Sequence, residues 1–143
     1  MKSELQKKLF EKYPKIFRQK DLSMKETCMC WGIDTGDGWY DLIDMLCDQL
    51  QFNTDRNHHP QVEATQVKEK YGTLRFYYGI IPLENATEDI WEKRYVGHID
   101  GLINFAEFLS GTICENCGTN QKVTQTEEGW ITTLCDNCRA NKL

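Results

Sequence analysis

The sequence has no apolar run approaching the ~20 residues that a membrane-crossing helix needs, so no membrane partner is expected. Its first twenty residues are basic but contain no apolar h-region, so no secretory signal is read there. Positive charge is not in excess. Seventeen Lys and Arg stand against 22 Asp and Glu, a formal net charge of −5, which argues against sequence-blind nucleic-acid binding through cationic contacts to phosphates. There is no internal repeat, no low-complexity segment and no flexible linker, so 143 residues read as one domain, or one domain with a small module. What is present suffices for a core: 40% of residues are hydrophobic and 11% aromatic, and a mean hydropathy of −0.60 reads as soluble. Seven cysteines without a secretion signal point to reduced thiols and metal in a cytoplasm.

Four of those cysteines form two near-identical pairs, Cys114-Glu115-Asn116-Cys117 and Cys135-Asp136-Asn137-Cys138. Two C-x-x-C pairs at this separation fit a four-cysteine zinc site. Each short turn places two sulfurs on one side of a metal, and thiolate suits a tetrahedral Zn2+ ion. Gly118 follows the first pair, where a positive φ lets the backbone curl around sulfur. Residues 122–126 and 130–134 are rich in β-formers and flank Glu127-Glu128-Gly129, a hairpin signal. Cys114, Cys117, Cys135 and Cys138 are therefore read as the ligands of one structural zinc in a zinc ribbon. Four sulfurs leave no position for water, so the metal is not catalytic. Two disulfides or free thiols are the alternative.

The rest of the chain reads as an α+β core over 1–111, with the ribbon, 112–143, docked on it because no linker intervenes. A helix is expected over 3–12, capped by Ser3, with Leu5, Leu9 and Tyr13 on one face and Pro14 ending it. Residues 21–37 look irregular. A second helix is expected over 38–53, with Trp39, Leu42, Ile43, Leu46, Cys47 and Leu50 in one apolar stripe and Asp37 at its N-cap. Residues 54–61 read as a loop. Residues 62–79 read as two antiparallel strands turning near Lys70 to Gly72. A third helix over 86–110, capped by Asn85 with Glu88 as its box partner, carries the longest apolar stripe and should lie on the sheet. The expected fold is a small antiparallel sheet with three main helices, followed by the ribbon.

Several clusters are candidates for chemistry. Asp34, Asp37 and Asp41, with Asp44 and Asp48, read as a wet acidic face that could alternatively gather a divalent cation or a protein partner. Residues 1–20 carry seven Lys or Arg against two Glu, whereas residues 21–60 carry eight Asp or Glu against Lys25 and Arg56, an asymmetry that hints at a partner-binding face. Cys28 and Cys30 could join His58 and His59 in a second metal or thiol site, although C-x-C is a poorer ligand spacing. Asp34-Thr35-Gly36 matches the aspartic-protease tripeptide, but that chemistry needs two such aspartates sharing a proton, and only one copy is present. Lys68, Lys70, Tyr71, Arg75 and Tyr77, with Trp130, place cations beside aromatics, which suits a small nucleotide or short nucleic acid. The alternative there is a sheet with tyrosines packed under a helix and charges paired across strands.

Trp31-Gly32-Ile33, Gly38-Trp39-Tyr40, the string from Gln66 to Tyr77 and Cys114-x-x-Cys117-Gly118 together resemble a family of small proteins from bacteriophage and prophage genomes. The likeness covers roughly 28–138, and Lys68-Glu69-Lys70-Tyr71-Gly72-Thr73-Leu74-Arg75-Phe76-Tyr77 is its most specific part. The resemblance implies an accessory protein in the bacterial host cytoplasm that binds host machinery or counters host defence. It implies no reaction. The leading expectation is a non-enzymatic protein that binds and inhibits a host protein. A small-nucleotide or short nucleic-acid binder comes second. An enzyme using a Cys28/Cys30 thiol with His58 or His59, or carboxylates at Asp34, Asp37 and Asp41, comes third.

Overall fold

The structure, a computed structural model, describes residues 1–81 and 92–141. Helix α1, Ser3–Lys12, matches the expected span, but Lys2 rather than Ser3 takes the cap position and no side chain caps the helix. Tertiary contacts fix its start instead. The Lys2 N–H donates to Asp37 Oδ1 at 2.7 Å, and Gln6 Oε1 accepts from the Ile33 N–H at 2.9 Å. Leu9 and Tyr13 are buried, and beyond Pro14 so are Ile16 and Phe17.

A 3-10 turn, Arg18–Asp21, leads into the segment expected to be irregular, which contains a second, Cys28–Trp31, and a short strand, β1, Ile33–Asp34. Strand β1 pairs parallel with the next strand, Ile33 opposite Val67 and Asp34 opposite Lys68. The sheet, in order β1-β2-β3, is therefore mixed rather than wholly antiparallel. A two-residue strand leaves no alternation to read in a sequence.

Helix α2, Tyr40–Asn57, starts after a 3-10 turn at Asp37–Trp39 and runs four residues past the expected end, into the expected loop. Side chains along its last turns favour the longer helix. Asn57 Nδ2 donates to Asn53 Oδ1 at 2.9 Å, and Thr54 Oγ1 donates to the Leu50 carbonyl at 3.2 Å. His58 ends the helix in the left-handed conformation, φ 58°, just before Pro60. Cys47 is fully buried and packs as a small hydrophobe, and burial pushes its thiol far above the ordinary range.

Strands β2, Gln61–Lys70, and β3, Thr73–Ile81, form a hairpin joined by Tyr71-Gly72. Both turn residues have positive φ, 54° and 75°, the two-residue turn that matches strand twist. A bulge at Thr65 breaks the alternation, so Val62 and Ala64 face the core and then Val67 does, three residues on. The outer edge of β3 is covered by the next helix, α3, Gly97–Ser110, which follows a π-turn at Glu92–Val96. Ser110 Oγ accepts from the Leu74 N–H at 2.8 Å and Glu107 Oε1 from the Phe76 N–H at 2.9 Å, so that edge is not open to another strand. Of the expected third helix, the Asn85/Glu88 box and Ile90 and Trp91 lie outside the described residues. Ile99, Ile103 and Ala106 join α1, α2 and the sheet in one apolar cluster around Phe17, Trp39, Ile43 and Leu74.

The basic start and acidic middle of the chain meet each other. Lys2 pairs with Asp37 at 3.1 Å, Lys12 with Asp44 at 2.9 Å, and Arg18 with Glu63. Tyr13 Oη also donates to Asp44 Oδ1 at 2.8 Å. Glu63 is 5% exposed and is held by the Arg18 guanidinium, first of all, and by Gln19 Nε2 at 3.1 Å, which keep its carboxyl below the usual range. A carboxyl with a lowered folded pKa stabilises the fold above its unfolded value and loses that contribution as pH falls through the folded value. Arg18→Ala should therefore lower stability at pH 7 by leaving the buried Glu63 carboxylate short of its partner. The deficit measured by urea unfolding should shrink below pH ~4, where the carboxyl takes up a proton. An equal deficit at pH 3 and pH 7 would contradict this.

Candidate metal centre and the groove beside it

Helix α3 passes through Gly111-Thr112-Ile113 straight into the first cysteine turn. The C-terminal part is a two-stranded sheet, β4, Val123–Gln125, with β5, Thr133–Cys135, followed by one helical turn, α4, Asp136–Ala140. The hairpin is shorter than the sequence suggests, because its ladder ends at Gln125 opposite Thr133, followed by one bond from the Thr126 N–H to the Thr132 carbonyl at 3.1 Å. Thr126 Oγ1 donates to the Trp130 carbonyl at 3.0 Å and accepts from the Thr132 N–H at 2.9 Å, closing a loop around Gly129. Gly118 has the expected positive φ, 79°, and its N–H donates to the Cys114 carbonyl at 2.8 Å.

Cys114, Cys117, Cys135 and Cys138 converge, and their sulfurs all lie within 4.8 Å of one another. All seven cysteines are free thiols, so the disulfide alternative is not adopted. A tetrahedral ion with Zn–S bonds near 2.3 Å would hold its sulfurs about 3.8 Å apart, and the Cys117–Cys135 separation is 3.7 Å. Burial alone would raise the Cys114 thiol. Hydrogen bonds from the backbone N–H groups of Cys135, Cys117 and Asn116 outweigh it and bring the thiol down to about 6. Cys138 is pushed the other way, chiefly by the neighbouring Cys117 and Cys135 sulfurs. One thiolate is thus prepared by the backbone, while crowding by neighbouring sulfurs holds back Cys138 until a cation compensates it. These four cysteines are positioned to bind a metal ion. They are the sole group of three or more potential ligands gathered among the described residues.

The cysteine turns also grip the core. The Gly38 N–H donates to the Glu115 carbonyl at 2.7 Å, and the Gly36 N–H to Glu115 Oε1 at 2.9 Å. Trp39, fully buried, donates its indole N–H to the Ile113 carbonyl at 2.9 Å. On the other side, the Gly72 carbonyl of the β2–β3 turn accepts from Thr133 Oγ1 and from Gln125 Nε2 at 3.3 Å. A Cβ on Gly38 would overlap the Cys114 carbonyl oxygen and lie 2.5 Å from Gly118 N and 2.7 Å from the Glu115 oxygen. One on Gly72 would lie 2.9 Å from Ile131 Cγ2. The Asp34–Trp39 and Tyr71-Gly72 stretches are therefore the two seats of the cysteine module. Sequence reasoning missed that role, although glycines beside aromatics in both stretches were its signal.

Other expected sites are redistributed. Asp37 is occupied by Lys2, whose backbone N–H leads in holding its carboxyl below the usual range. Asp44 is occupied by Lys12 and Tyr13. Asp34, Asp41 and Asp48 are exposed, and the five aspartates do not gather into a ligand group. Nor do Cys28 and Cys30 gather with His58 and His59. The Cys30 thiol donates to the Thr27 carbonyl at 3.3 Å, while the His59 ring packs on His98 at 5.0 Å and Tyr95 at 4.9 Å. Arg75 lies directly across the hairpin from Lys68 but is engaged elsewhere. Its guanidinium bonds Thr73 Oγ1 at 2.6 Å and lies 3.9 Å from the Glu107 carboxylate. Tyr77 is exposed under the Lys68 ammonium, 5.8 Å above its ring. Lys68, Lys70 and Tyr71 do come together, with Trp130 and Ile131 of the cysteine module, around a groove of about 420 Å3. No helix among the described residues is long and apolar enough to cross a membrane. Compared with protein-family models, with curated proteins and with solved structures, the chain matches none.

Proposed function

We propose that the chain is a non-enzymatic binding protein stapled by one structural zinc, an accessory protein of a bacteriophage or prophage that occupies and inhibits a host protein in the bacterial cytoplasm. The metal reading rests on the donor set. Four sulfurs fill a tetrahedral zinc and leave it no open position, and the turns that carry them are engaged in holding the core. The phage setting rests on the resemblance of Trp31-Gly32-Ile33, Gly38-Trp39-Tyr40 and the Lys68–Tyr77 string to proteins of such genomes.

One observation carries the protein-binding reading. Trp31 is 69% exposed at the rim of a 710 Å3 groove floored by Phe10, Pro14 and Met29, between α1 and the Cys28–Trp31 turn. Met24, 66% exposed, lies on the same stretch of chain. A large exposed indole beside a groove with apolar residues at its base and polar residues such as Lys7, Glu11 and Lys20 around it is the kind of surface that anchors a protein partner. It replaces the acidic Asp34–Asp48 face, whose Asp37 and Asp44 are already paired with α1. The test is affinity capture from bacterial lysate with the full chain and with Trp31→Ala. The expected result is one specific host protein, bound by the parent and lost or weakened at least tenfold in the variant. Capture of no specific protein by the parent, or equal capture by both, would overturn the reading.

A further inference from the structure

We infer that the groove between the β2–β3 turn and the Trp130 loop binds a small nucleotide, with its phosphate on Lys68 and Lys70 and its base stacked on Trp130 and Tyr71. This is a second site, sharing no lining residue with the groove beside Trp31, and it stands or falls separately.

The groove's volume of about 420 Å3 lies within the ~300–1,000 Å3 range of ligand sites. Its two walls come from different elements. Lys68, Lys70 and Tyr71 belong to the hairpin, and Gly129, Trp130 and Ile131 to the cysteine module. The bonds from Thr133 and Gln125 to the Gly72 carbonyl hold these walls together. Two aromatic faces are offered to solvent there, Tyr71 at 67% and Trp130 at 79% exposure. An exposed indole beside an exposed phenol gives a base the stacking platform that single nucleotides use.

The charge at the groove runs against that of the whole chain. The chain is acidic, −5, yet the groove offers two ammonium groups. Neither Lys68 nor Lys70 forms an ion pair among the described residues; each instead sits over a tyrosine ring, at 5.8 Å from Tyr77 and 5.4 Å from Tyr71. The one carboxylate lining the groove, Glu69, accepts the Gly72 N–H at 2.6 Å and is committed to the turn. Glu127 and Glu128 lie in the same loop as Trp130 but do not line the groove. Two cations within a negative molecule suit a ligand with few phosphates. A long polyanion would meet the repulsion of the surrounding surface. Binding here makes and breaks no covalent bond.

The test is calorimetric titration of the full, metal-loaded chain with adenosine and guanosine mono- and triphosphates, the corresponding nucleosides, inorganic phosphate and a single-stranded decanucleotide. At least one mononucleotide is expected to bind, more weakly as salt rises. It should bind at least tenfold more tightly than its nucleoside and than inorganic phosphate. Trp130→Ala should weaken binding by about tenfold to a hundredfold, the worth of one base stack, and Lys68→Ala/Lys70→Ala should remove the salt dependence. These side chains lie at the surface, and unchanged metal content and circular dichroism would establish that the variants fold. Trp31→Ala should leave nucleotide binding intact, which separates this site from the host-protein surface. The inference is overturned if no nucleotide binds the folded chain, if phosphate binds as tightly as nucleotides, if Trp130→Ala binds like the parent, or if only the decanucleotide binds.

Discussion

Gly38→Ala is expected to destabilise the protein by about 3 kcal/mol, the upper part of the usual cost of overpacking. The cost arises because the new methyl group meets backbone rather than a side chain that could swing away. It would press on the Cys114 and Glu115 carbonyls and on Gly118 N, all within the first cysteine turn. Relief requires that turn to lift from the core. Lifting it breaks the bond from the Gly38 N–H to the Glu115 carbonyl and pulls the Ile113 carbonyl from the Trp39 indole. Gly101→Ala provides the contrast. Gly101 is exposed in the middle of α3 with nothing within 4 Å of an added Cβ, so alanine should stabilise by up to about 1 kcal/mol through helix propensity. Thermal and urea unfolding of the two variants would measure both. Equal small effects at the two glycines would mean that the cysteine module does not sit against the Asp34–Trp39 stretch.

The second large effect is that of metal removal. Structural zinc binding contributes roughly 10–16 kcal/mol in isolated zinc-finger peptides near neutral pH, as much as the whole stability of a typical domain, about 5–15 kcal/mol. The cysteine module has little apolar core of its own. Its buried cluster consists of Cys114, Leu134 and Cys135, with Val123 and Cys138 packed at the side. Chelation should therefore unfold residues 112–141, while the larger cluster around Phe17, Trp39 and Leu74 keeps most of its structure. Cys135→Ser should mimic chelation, since Cys135 is at once a ligand, buried, and the acceptor of the Cys138 N–H that starts α4. Acid should act in the same direction, because protons compete with the metal for thiolate as pH falls. Tryptophan emission should report the change, since Trp39 loses its bond to Ile113. A chelated chain with unaltered spectra and unaltered unfolding would contradict the expectation.

Much of this architecture is legible because it is local. Two C-x-x-C turns announce a metal module, since the spacing itself sets the geometry. The alternation from Thr73 to Tyr78 and the turn at Tyr71-Gly72 announce a hairpin, and the stripe from Leu42 to Leu50 announces a helix. What escapes the sequence is set by distant partners. The bulge at Thr65 and the parallel pairing of Ile33 with Val67 depend on how strands meet. Helix α2 extends to Asn57 through side-chain bonds that a composition reading treats as loop chemistry. The charged halves of the first sixty residues suggest a face for a partner, yet Lys2, Lys12 and Arg18 find their partners in the same chain. Gly36, Gly38 and Gly72 read as turn residues, but they also admit another part of the molecule at close range.

The proposed ion would fasten the cysteine module to the core, and the Gly38 amide reports on it most directly. That N–H is bonded to the Glu115 carbonyl across the seam. Hydrogen exchange of the Gly38 amide, measured with the zinc content of the same sample, should find one zinc per chain and a slowly exchanging proton. Thorough chelation should make that proton exchange at least a hundredfold faster, while the Ala64 amide, bonded to the Ile16 carbonyl in the core, stays protected. Purified chain without metal, or a Gly38 amide indifferent to chelation, would contradict the account.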